Sequence, residues 1–156
     1  MSPALDQRQQ RIPSKGGVRV LVAAGSSGGH AFPALSFLTE LKTKDDNLET
    51  LLILPQNCVL SRKDEFPCKV KYVSISSLKF KLDYKNVLAV FNFLKGAWQS
   101  LFILIDFRPD VVVGFGTLSC IPVIIFAWLM RINTLIHEQN VIPGRANRFL
   151  AIFADR

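Results

Sequence analysis

The most distinctive polar stretch of the chain, "GSSGGH", runs from Gly25 to His30 and follows a short apolar run. Its glycines allow tight turning and close approach of a ligand to the backbone, while Ser26 and Ser27 supply hydroxyl groups. Such a loop, leading into a helix, presents free N–H groups at the positive end of the helix dipole, which favours phosphate. His30 can then act as a general base or donate a hydrogen bond to phosphate. The alternative is a plain strand-to-helix turn with a structural histidine.

Two further polar stretches could contribute to a site. "HEQN", from His137 to Asn140, places four hydrogen-bonding side chains in a row, and burying them is costly unless something satisfies them. These residue types suit recognition of a sugar or nucleotide, whereas a solvated loop is the alternative. The sequence has no second His in helical register with His137, so the spacing does not match a zinc site. In "GFGTLS", Thr117 or Ser119 is expected to cap the following helix.

The elements that must position these residues alternate in type along the chain. Apolar, Val-rich runs predict strands at 18–24, 48–54, 70–76, 109–116 and 133–140, and helical patterns predict helices at 32–42, 86–105, 120–130 and 144–153. Pro33 suits the first turn of the first helix. This alternation predicts an α/β fold, a Rossmann-like parallel sheet with helices on both faces. All three polar stretches follow strands, so they share the carboxyl edge of the sheet, where ligands bind in such folds.

Composition and charge restrict the partners. A formal net charge of +7 indicates an anionic partner, and among the candidates nucleic acid is the weakest because no binding motif for it is present. Cys58, Cys68 and Cys120 lack C-x-x-C spacing and are expected to be reduced thiols of a cytosolic protein. Residues 1–17 carry neither a secretory signal nor a membrane anchor and are expected to form a disordered tail.

The long helix is apolar and aromatic nearly all round, with Phe91, Trp98 and Phe102 among its residues. Lys95 interrupts it, so it is not expected to span a membrane. Such a helix is either wholly buried or faces a lipid or protein surface. Nearby lysines, Lys79, Lys81, Lys85 and Lys95, favour docking on anionic headgroups, while a core helix with snorkelling lysines is the alternative.

Four stretches together, "GSSGGHAFPAL", "ISSLKFK", "RPDVVVGFG" and "HEQNVIPGRANRFLA", resemble the amino-terminal domain of the MurG family. That family transfers N-acetylglucosamine from UDP-N-acetylglucosamine to the C4 hydroxyl of lipid I, which gives lipid II for peptidoglycan synthesis. The resemblance covers about residue 18 to the end of the sequence, with the motifs in the family's order. It implies the amino-terminal half of a GT-B glycosyltransferase, an inverting hexosyltransferase, on the cytoplasmic face of the bacterial membrane.

The resemblance also implies roles for individual residues. Ser27, Gly28 and Gly29 would lie close to the donor and the acceptor diphosphate, and His30 would be the base that activates the acceptor hydroxyl. Asn140 would contact the donor, and Glu138 would orient the site or bind acceptor. Neither a metal nor a cofactor is implied, and UDP-N-acetylglucosamine is the donor substrate.

The sequence departs from the family in three places. Ser26 and Ser27 replace a Gly-Thr pair of the first loop, and the second loop lacks the family's "GGY-x-S" pattern at Gly116 to Cys120. The carboxy-terminal donor domain is absent from residues 18–156, so the chain alone is expected to transfer little or no sugar. Two other hypotheses remain: a non-catalytic, membrane-associated subunit that recruits a separate donor-domain polypeptide, and a nucleotide-binding α/β domain of another enzyme.

Overall fold

The computed structural model describes residues 17–60, 66–75 and 84–155. Within these ranges the elements are β1 (Arg19–Ala24), α1 (Gly28–Lys44), β2 (Glu49–Pro55), β3 (Lys69–Val73), α2 (Tyr84–Phe107), β4 (Val111–Phe115), α3 (Cys120–Leu129), β5 (Asn133–Ile136) and α4 (Arg145–Leu150). The predicted tail lies outside the described residues except for Gly17. Most of "ISSLKFK", with Lys79 and Lys81, lies outside them as well.

The five strands form one parallel sheet in the order β3-β2-β1-β4-β5. In the centre, Leu21 of β1 pairs with Leu51 of β2 on one side and with Val112 of β4 on the other. Because every strand runs the same way, all five carboxyl ends lie at one edge. The predicted α/β fold with a parallel sheet is therefore confirmed.

Alternate residues of β1 face two separate layers of the core. Leu21 and Ala23 belong to the cluster that includes residues of α2, α3 and α4, whereas Val22 and Ala24 pack with α1. Leu21 and Val22 are both fully buried, as expected of a strand covered on both faces. Burial of one such side chain stabilises the fold by about 1.5–3 kcal/mol.

Helix α1 begins four residues earlier than predicted. It starts at Gly28, so Pro33 lies inside the helix and the placement of Pro33 in the first turn is wrong. Because glycine has a low helix propensity, Gly28 and Gly29 were predicted to lie in a loop. In the structure they form the first turn of α1, where the N–H groups of a helix have no intrahelical partner. Pro33 removes only the bond to the carbonyl of Gly29. His30 therefore lies within the first turn of α1.

Helix α2 has two distinct faces, so the alternative of a wholly buried helix is wrong. Ser100 and Leu104 on the inner face are completely buried, and Gly96 lies so close to Ile75 that an added Cβ would be 2.2 Å from its Cγ1. The outer face exposes large apolar side chains, namely Val90, Phe91, Leu94, Trp98, Phe102 and Ile105. Among the described residues, no helix is long and apolar enough to cross a membrane.

Candidate functional site at the carboxyl edge of the sheet

The loops that follow β1 and β4 and the start of α4 enclose a cavity of about 480 Å³ at the carboxyl edge. Its lining includes three residues from each of these segments: Ser26, Ser27 and His30, then Thr117, Leu118 and Ser119, then Arg145, Ala146 and Phe149. A volume of this size is typical of sites for small organic ligands. The structure thus brings together "GSSGGH" and "GFGTLS", whereas no residue of "HEQN" lines the cavity.

Ser27 precedes α1 in the N-cap position, but its side chain makes no capping hydrogen bond. Its carbonyl accepts hydrogen bonds from the amides of His30 and Ala31, at 3.1 and 3.0 Å. The hydroxyl group of Ser27 is exposed at the cavity and is not used to close the helix. It is therefore available to a ligand.

His30 lines the same cavity. Its Nδ1 atom is buried and has no hydrogen-bond partner in the part of the chain that the structure describes. A buried polar atom without a partner carries a free-energy cost of about 1–3 kcal/mol.

The two glycines of the first turn differ in their surroundings. A Cβ added to Gly28 would contact the ring of Phe32 at 3.0 Å, whereas one added to Gly29 would meet no atom within 4 Å. Neither glycine lines the cavity itself. Gly29 leaves an open approach to the backbone at the beginning of α1, next to Ser27 and His30.

The hydroxyl groups of the second loop tie it to β1 instead of capping α3. Ser119 Oγ donates to the carbonyl of Ala24 at 3.1 Å and lies 2.7 Å from Thr117 Oγ1. No side chain caps α3, so the predicted capping by Thr117 or Ser119 is wrong. Ser119 instead satisfies a carbonyl at the end of a central strand. An added Cβ on Gly25 would be 2.3 Å from Thr117 Cγ2, which shows how closely the first two loops pack.

Glu138 organises the loop between β5 and α4, residues 137–144, which is the third loop of this edge. Its Oε1 accepts hydrogen bonds from the amide and the side chain of Asn140, and its Oε2 accepts from the Gly144 amide and from Asn147 Nδ2, all within 2.9–3.0 Å. The Asn140 and Gly144 amides lower the pKa of Glu138 from 4.5 to about 2. The carboxylate is thus ionised and fully engaged by its own loop. Neither Glu138 nor Asn140 lines the cavity.

Asn147 is a buried polar residue that the sequence reasoning missed. Its Nδ2 donates to Glu138 Oε2 and, at 3.4 Å, to the His137 carbonyl. Gly116 (φ +40°) leaves no room for a side chain here, because an added Cβ would lie 2.3 Å from Asn147 Nδ2. Asn147 therefore joins the second loop, the third loop and α4.

Arg145 was not identified from the sequence, whereas Gln139 was one of the four hydrogen-bonding side chains noted in "HEQN". Arg145 brings a cation to the cavity. Gln139 has both amide atoms buried without a partner among the described residues. Arg145 and Phe149 are four residues apart and lie on the same side of α4, but a helix of six residues gives too short a pattern to identify that side from the sequence.

The site shows no arrangement for a metal or a disulfide. Within residues 17–60, 66–75 and 84–155, no group of three or more His, Cys, Asp or Glu side chains could hold a metal ion. Cys58, Cys68 and Cys120 are all free thiols. Burial raises the pKa of the Cys120 thiol, which keeps it protonated and unreactive.

Comparisons with known proteins identify the family and the fold of the chain. The model of the "Glycosyltransferase family 28 N-terminal domain" matches residues 20–156. The UDP-N-acetylglucosamine--N-acetylmuramyl-(pentapeptide) pyrophosphoryl-undecaprenol N-acetylglucosamine transferase of Natranaerobius thermophilus is 38% identical over 143 residues, and its Bacillus subtilis counterpart is 36% identical over 142. These matches cover 88% and 89% of this chain but only 38% and 39% of the relatives.

Solved structures show the same fold. MurG of Acinetobacter baumannii superposes with a TM-score of 0.75 at 26% identity, over 88% of this chain and 40% of that protein. A Streptomyces glycosyltransferase (15% identity, 86% of this chain and 43% of that one) has a TM-score of 0.58, and this likeness concerns the fold alone. The fold is thus the amino-terminal Rossmann-like domain of GT-B glycosyltransferases. With a family model that matches nearly all of its described length, the chain belongs to glycosyltransferase family 28, as the amino-terminal domain of that family.

Proposed function

We propose that the chain is the acceptor-side half of an enzyme that transfers N-acetylglucosamine from UDP-N-acetylglucosamine to the C4 hydroxyl of lipid I, forming lipid II. The main support is the cavity at the carboxyl edge, which is lined by Ser27 and by a histidine whose buried Nδ1 has no partner among the described residues. The named activity of the 38%-identical relative supports the choice of donor and acceptor.

His30 is the proposed general base. As the C4 oxygen of the acceptor attacks the anomeric carbon of the donor, the bond from that carbon to the UDP oxygen breaks and the configuration inverts. The hydroxyl proton passes to the imidazole, and UDP departs with the electron pair of the broken bond. General-base assistance of this kind contributes about 10²–10⁴-fold to a rate.

Ser27, Gly28 and Gly29 are proposed to contact the diphosphate groups at the first turn of α1. The amides of this turn lie at the positive end of a 17-residue helix, and Gly29 leaves the approach open. Asn140 is exposed and is proposed to contact the donor. Because both oxygens of Glu138 are occupied, we assign it the orienting role and not direct acceptor binding.

The outer face of α2 is proposed to hold the domain on the cytoplasmic face of the membrane as a peripheral protein. Trp98 and Phe102 are 62% and 63% exposed and stack on each other with ring centroids 6.0 Å apart. Lys95 is exposed on the same helix. An apolar surface beside basic groups is typical of binding to anionic lipid.

The second candidate function is a non-catalytic subunit that recruits a donor-domain polypeptide. A second apolar surface favours it: Val141, Ile142 and Ile152 are exposed by 102%, 79% and 73% on the third loop and after α4. On the catalytic proposal, the donor domain covers the same surface and completes the cleft. The cavity takes part in sugar transfer in the first candidate function and has no catalytic role in the second.

The direct test is reconstitution. The carboxy-terminal part of the Bacillus subtilis relative is supplied to the full chain, separately or fused, and transfer from radiolabelled UDP-N-acetylglucosamine to lipid I is measured. We expect turnover from the combination and none from either part alone. Absence of turnover in a folded fusion that binds both substrates would overturn the catalytic proposal.

A further inference from the structure

The cavity at the carboxyl edge contains one permanent charge among the residues that the structure describes. Its other polar lining consists of neutral groups, mainly the hydroxyls of Ser26, Ser27 and Thr117, and the titratable ring of His30. Arg145, the first residue of α4, is the cation. Because Arg145 forms part of the cavity wall, an anion in the cavity could contact its guanidinium.

Among the residues that the structure describes, no carboxylate is paired with Arg145. Glu138 lies nearby, because its Oε2 accepts a hydrogen bond from the amide of Gly144, the residue before Arg145. Its two oxygens are nevertheless taken up by Asn140, Gly144 and Asn147, and no ion pair forms with Arg145 within the described residues. Glu138 thus fixes the backbone that carries the arginine and leaves its charge free for a ligand.

The wall around this cation is apolar. Ile75, Leu118, Ile121 and Phe149 line the same cavity. Phe149 is one helical turn beyond Arg145, so its ring and the guanidinium belong to the same side of α4. A nucleotide base or a sugar would find few hydrogen-bonding partners at these side chains, whereas a hydrocarbon would be removed from water there.

A single guanidinium beside a hydrocarbon wall fits an anion that is covalently attached to an apolar chain. We propose that Arg145 binds the diphosphate of an isoprenoid diphosphate and that Ile121, Leu118 and Phe149 take its first isoprene unit. This inference rests on the proposed function, since it identifies which part of a lipid-linked acceptor occupies the cavity. Arg145 is then a specificity residue for the acceptor.

The test uses the full chain and titrates four soluble probes by calorimetry: farnesyl diphosphate, farnesol, inorganic diphosphate and UDP. Farnesyl diphosphate is expected to bind at least tenfold more tightly than each of the others, because only it satisfies the cation and the wall together. Arg145→Ala is expected to weaken farnesyl diphosphate about tenfold or more and to leave farnesol unchanged. Arg145→Lys should retain part of the affinity, since it keeps the charge but not the bidentate geometry.

Arg148→Ala is the matched control, because Arg148 is an exposed arginine of the same helix that does not line the cavity. It should leave every affinity within about twofold, and circular dichroism should show that all variants are folded. Equal losses in the Arg145 and Arg148 variants would overturn the inference. Binding of UDP that is as tight as that of farnesyl diphosphate and depends on Arg145 would also overturn it.

The inference and the proposed function fail in different ways. If the reconstituted enzyme transfers sugar while Arg145→Ala binds farnesyl diphosphate normally, the inference alone is wrong. If the probe discrimination depends on Arg145 but the reconstituted enzyme transfers no sugar, the isoprenoid site stands and the transferase proposal is wrong.

Discussion

At the scale of single residues, alanine substitutions at Gly25 and Gly29 are expected to separate effects on stability from effects on turnover. A Cβ at Gly29 would meet no atom of the described residues within 4 Å, so Gly29→Ala is expected to leave the free energy of unfolding unchanged or raise it by up to about 1 kcal/mol. The same Cβ would obstruct a ligand at the first turn of α1. We therefore expect turnover of the reconstituted enzyme to fall at least tenfold.

Gly25→Ala is the matched comparison and should behave in the opposite way. Its Cβ would overlap Thr117, a short β-branched side chain that cannot move aside, so the protein should be destabilised by about 1–3 kcal/mol. Urea unfolding of both variants measures these differences. A Gly29→Ala variant with full turnover would show that no ligand uses the open space at α1.

Glu138 makes the third loop sensitive to acid. Its folded-state pKa of about 2 lies below the ordinary 4.5, so the carboxylate stabilises the loop above pH 4.5 and this contribution is lost as the pH falls towards 2. The amide resonances of Asn140 and Gly144 should therefore titrate with a midpoint near pH 2. A midpoint near 4.5 would contradict the network.

Glu138→Gln should lower the free energy of unfolding at neutral pH, because an amide NH₂ replaces one of the two accepting oxygens. In either orientation of the new amide, its NH₂ group would point at hydrogen-bond donors, those of Asn140 or those of Gly144 and Asn147. Glu40→Gln serves as the control, since the exposed Glu40–Lys44 pair contributes only about 0.3–0.5 kcal/mol. An equal effect of the two substitutions would mean that the loop is held by other contacts.

The sequence predicted some of the residues at the carboxyl edge and missed others. Ser27 and His30 line the cavity as expected, since a loop after a buried parallel strand must lie at the carboxyl edge. Arg145 and Asn147 were missed because α4 is only six residues long and its orientation depends on tertiary contacts through Glu138. Periodicity over so few residues carries little information.

At the scale of elements, the outer face of α2 predicts binding to anionic membranes. The full chain should bind phosphatidylglycerol vesicles, with a blue shift of tryptophan fluorescence, and bind phosphatidylcholine vesicles less. Phe102→Ser should weaken partitioning about tenfold, because a Phe side chain contributes about 1.5–3 kcal/mol when removed from water. Added salt should weaken binding further through screening of the basic groups.

Phe32→Ser is the control for this experiment. Phe32 is 57% exposed on α1, which packs on the other face of the sheet. This substitution should leave vesicle binding nearly unchanged. If both substitutions reduce binding equally, a general apolar effect and not the α2 face is responsible.

Each helix and strand of the structure was predicted from the sequence, but several of their first and last residues were predicted wrongly. Glycines at the start of α1 were assigned to a loop because propensity scales describe helix interiors. β5 ends at Ile136 instead of residue 140, since the His137 amide makes the last bond to Gly114 and Glu138 then turns the chain. Local pattern decides element type, and tertiary contacts decide where the element ends.

At the scale of the whole molecule, the carboxyl edge of the sheet is the organising feature. The alternation of strands and helices was enough to predict the parallel sheet and the edge at which the polar loops meet. It could not predict the cavity, which depends on close packing of Gly25 against Thr117 and of Gly116 against Asn147. The chain spans about two fifths of the length of the curated relatives, and on the proposed function their remaining part would form the opposite wall of the cleft.

His30→Ala in the reconstituted enzyme measures whether the cavity takes part in sugar transfer. The other histidine, His137, is the matched control, because it packs on Phe115 with ring centroids 5.0 Å apart and does not line the cavity. Sugar transfer to lipid I should fall about 10²–10⁴-fold for His30→Ala with folding and farnesyl diphosphate binding retained, and change little for His137→Ala. Unchanged turnover in a folded His30→Ala enzyme would contradict the account and favour the recruiting subunit.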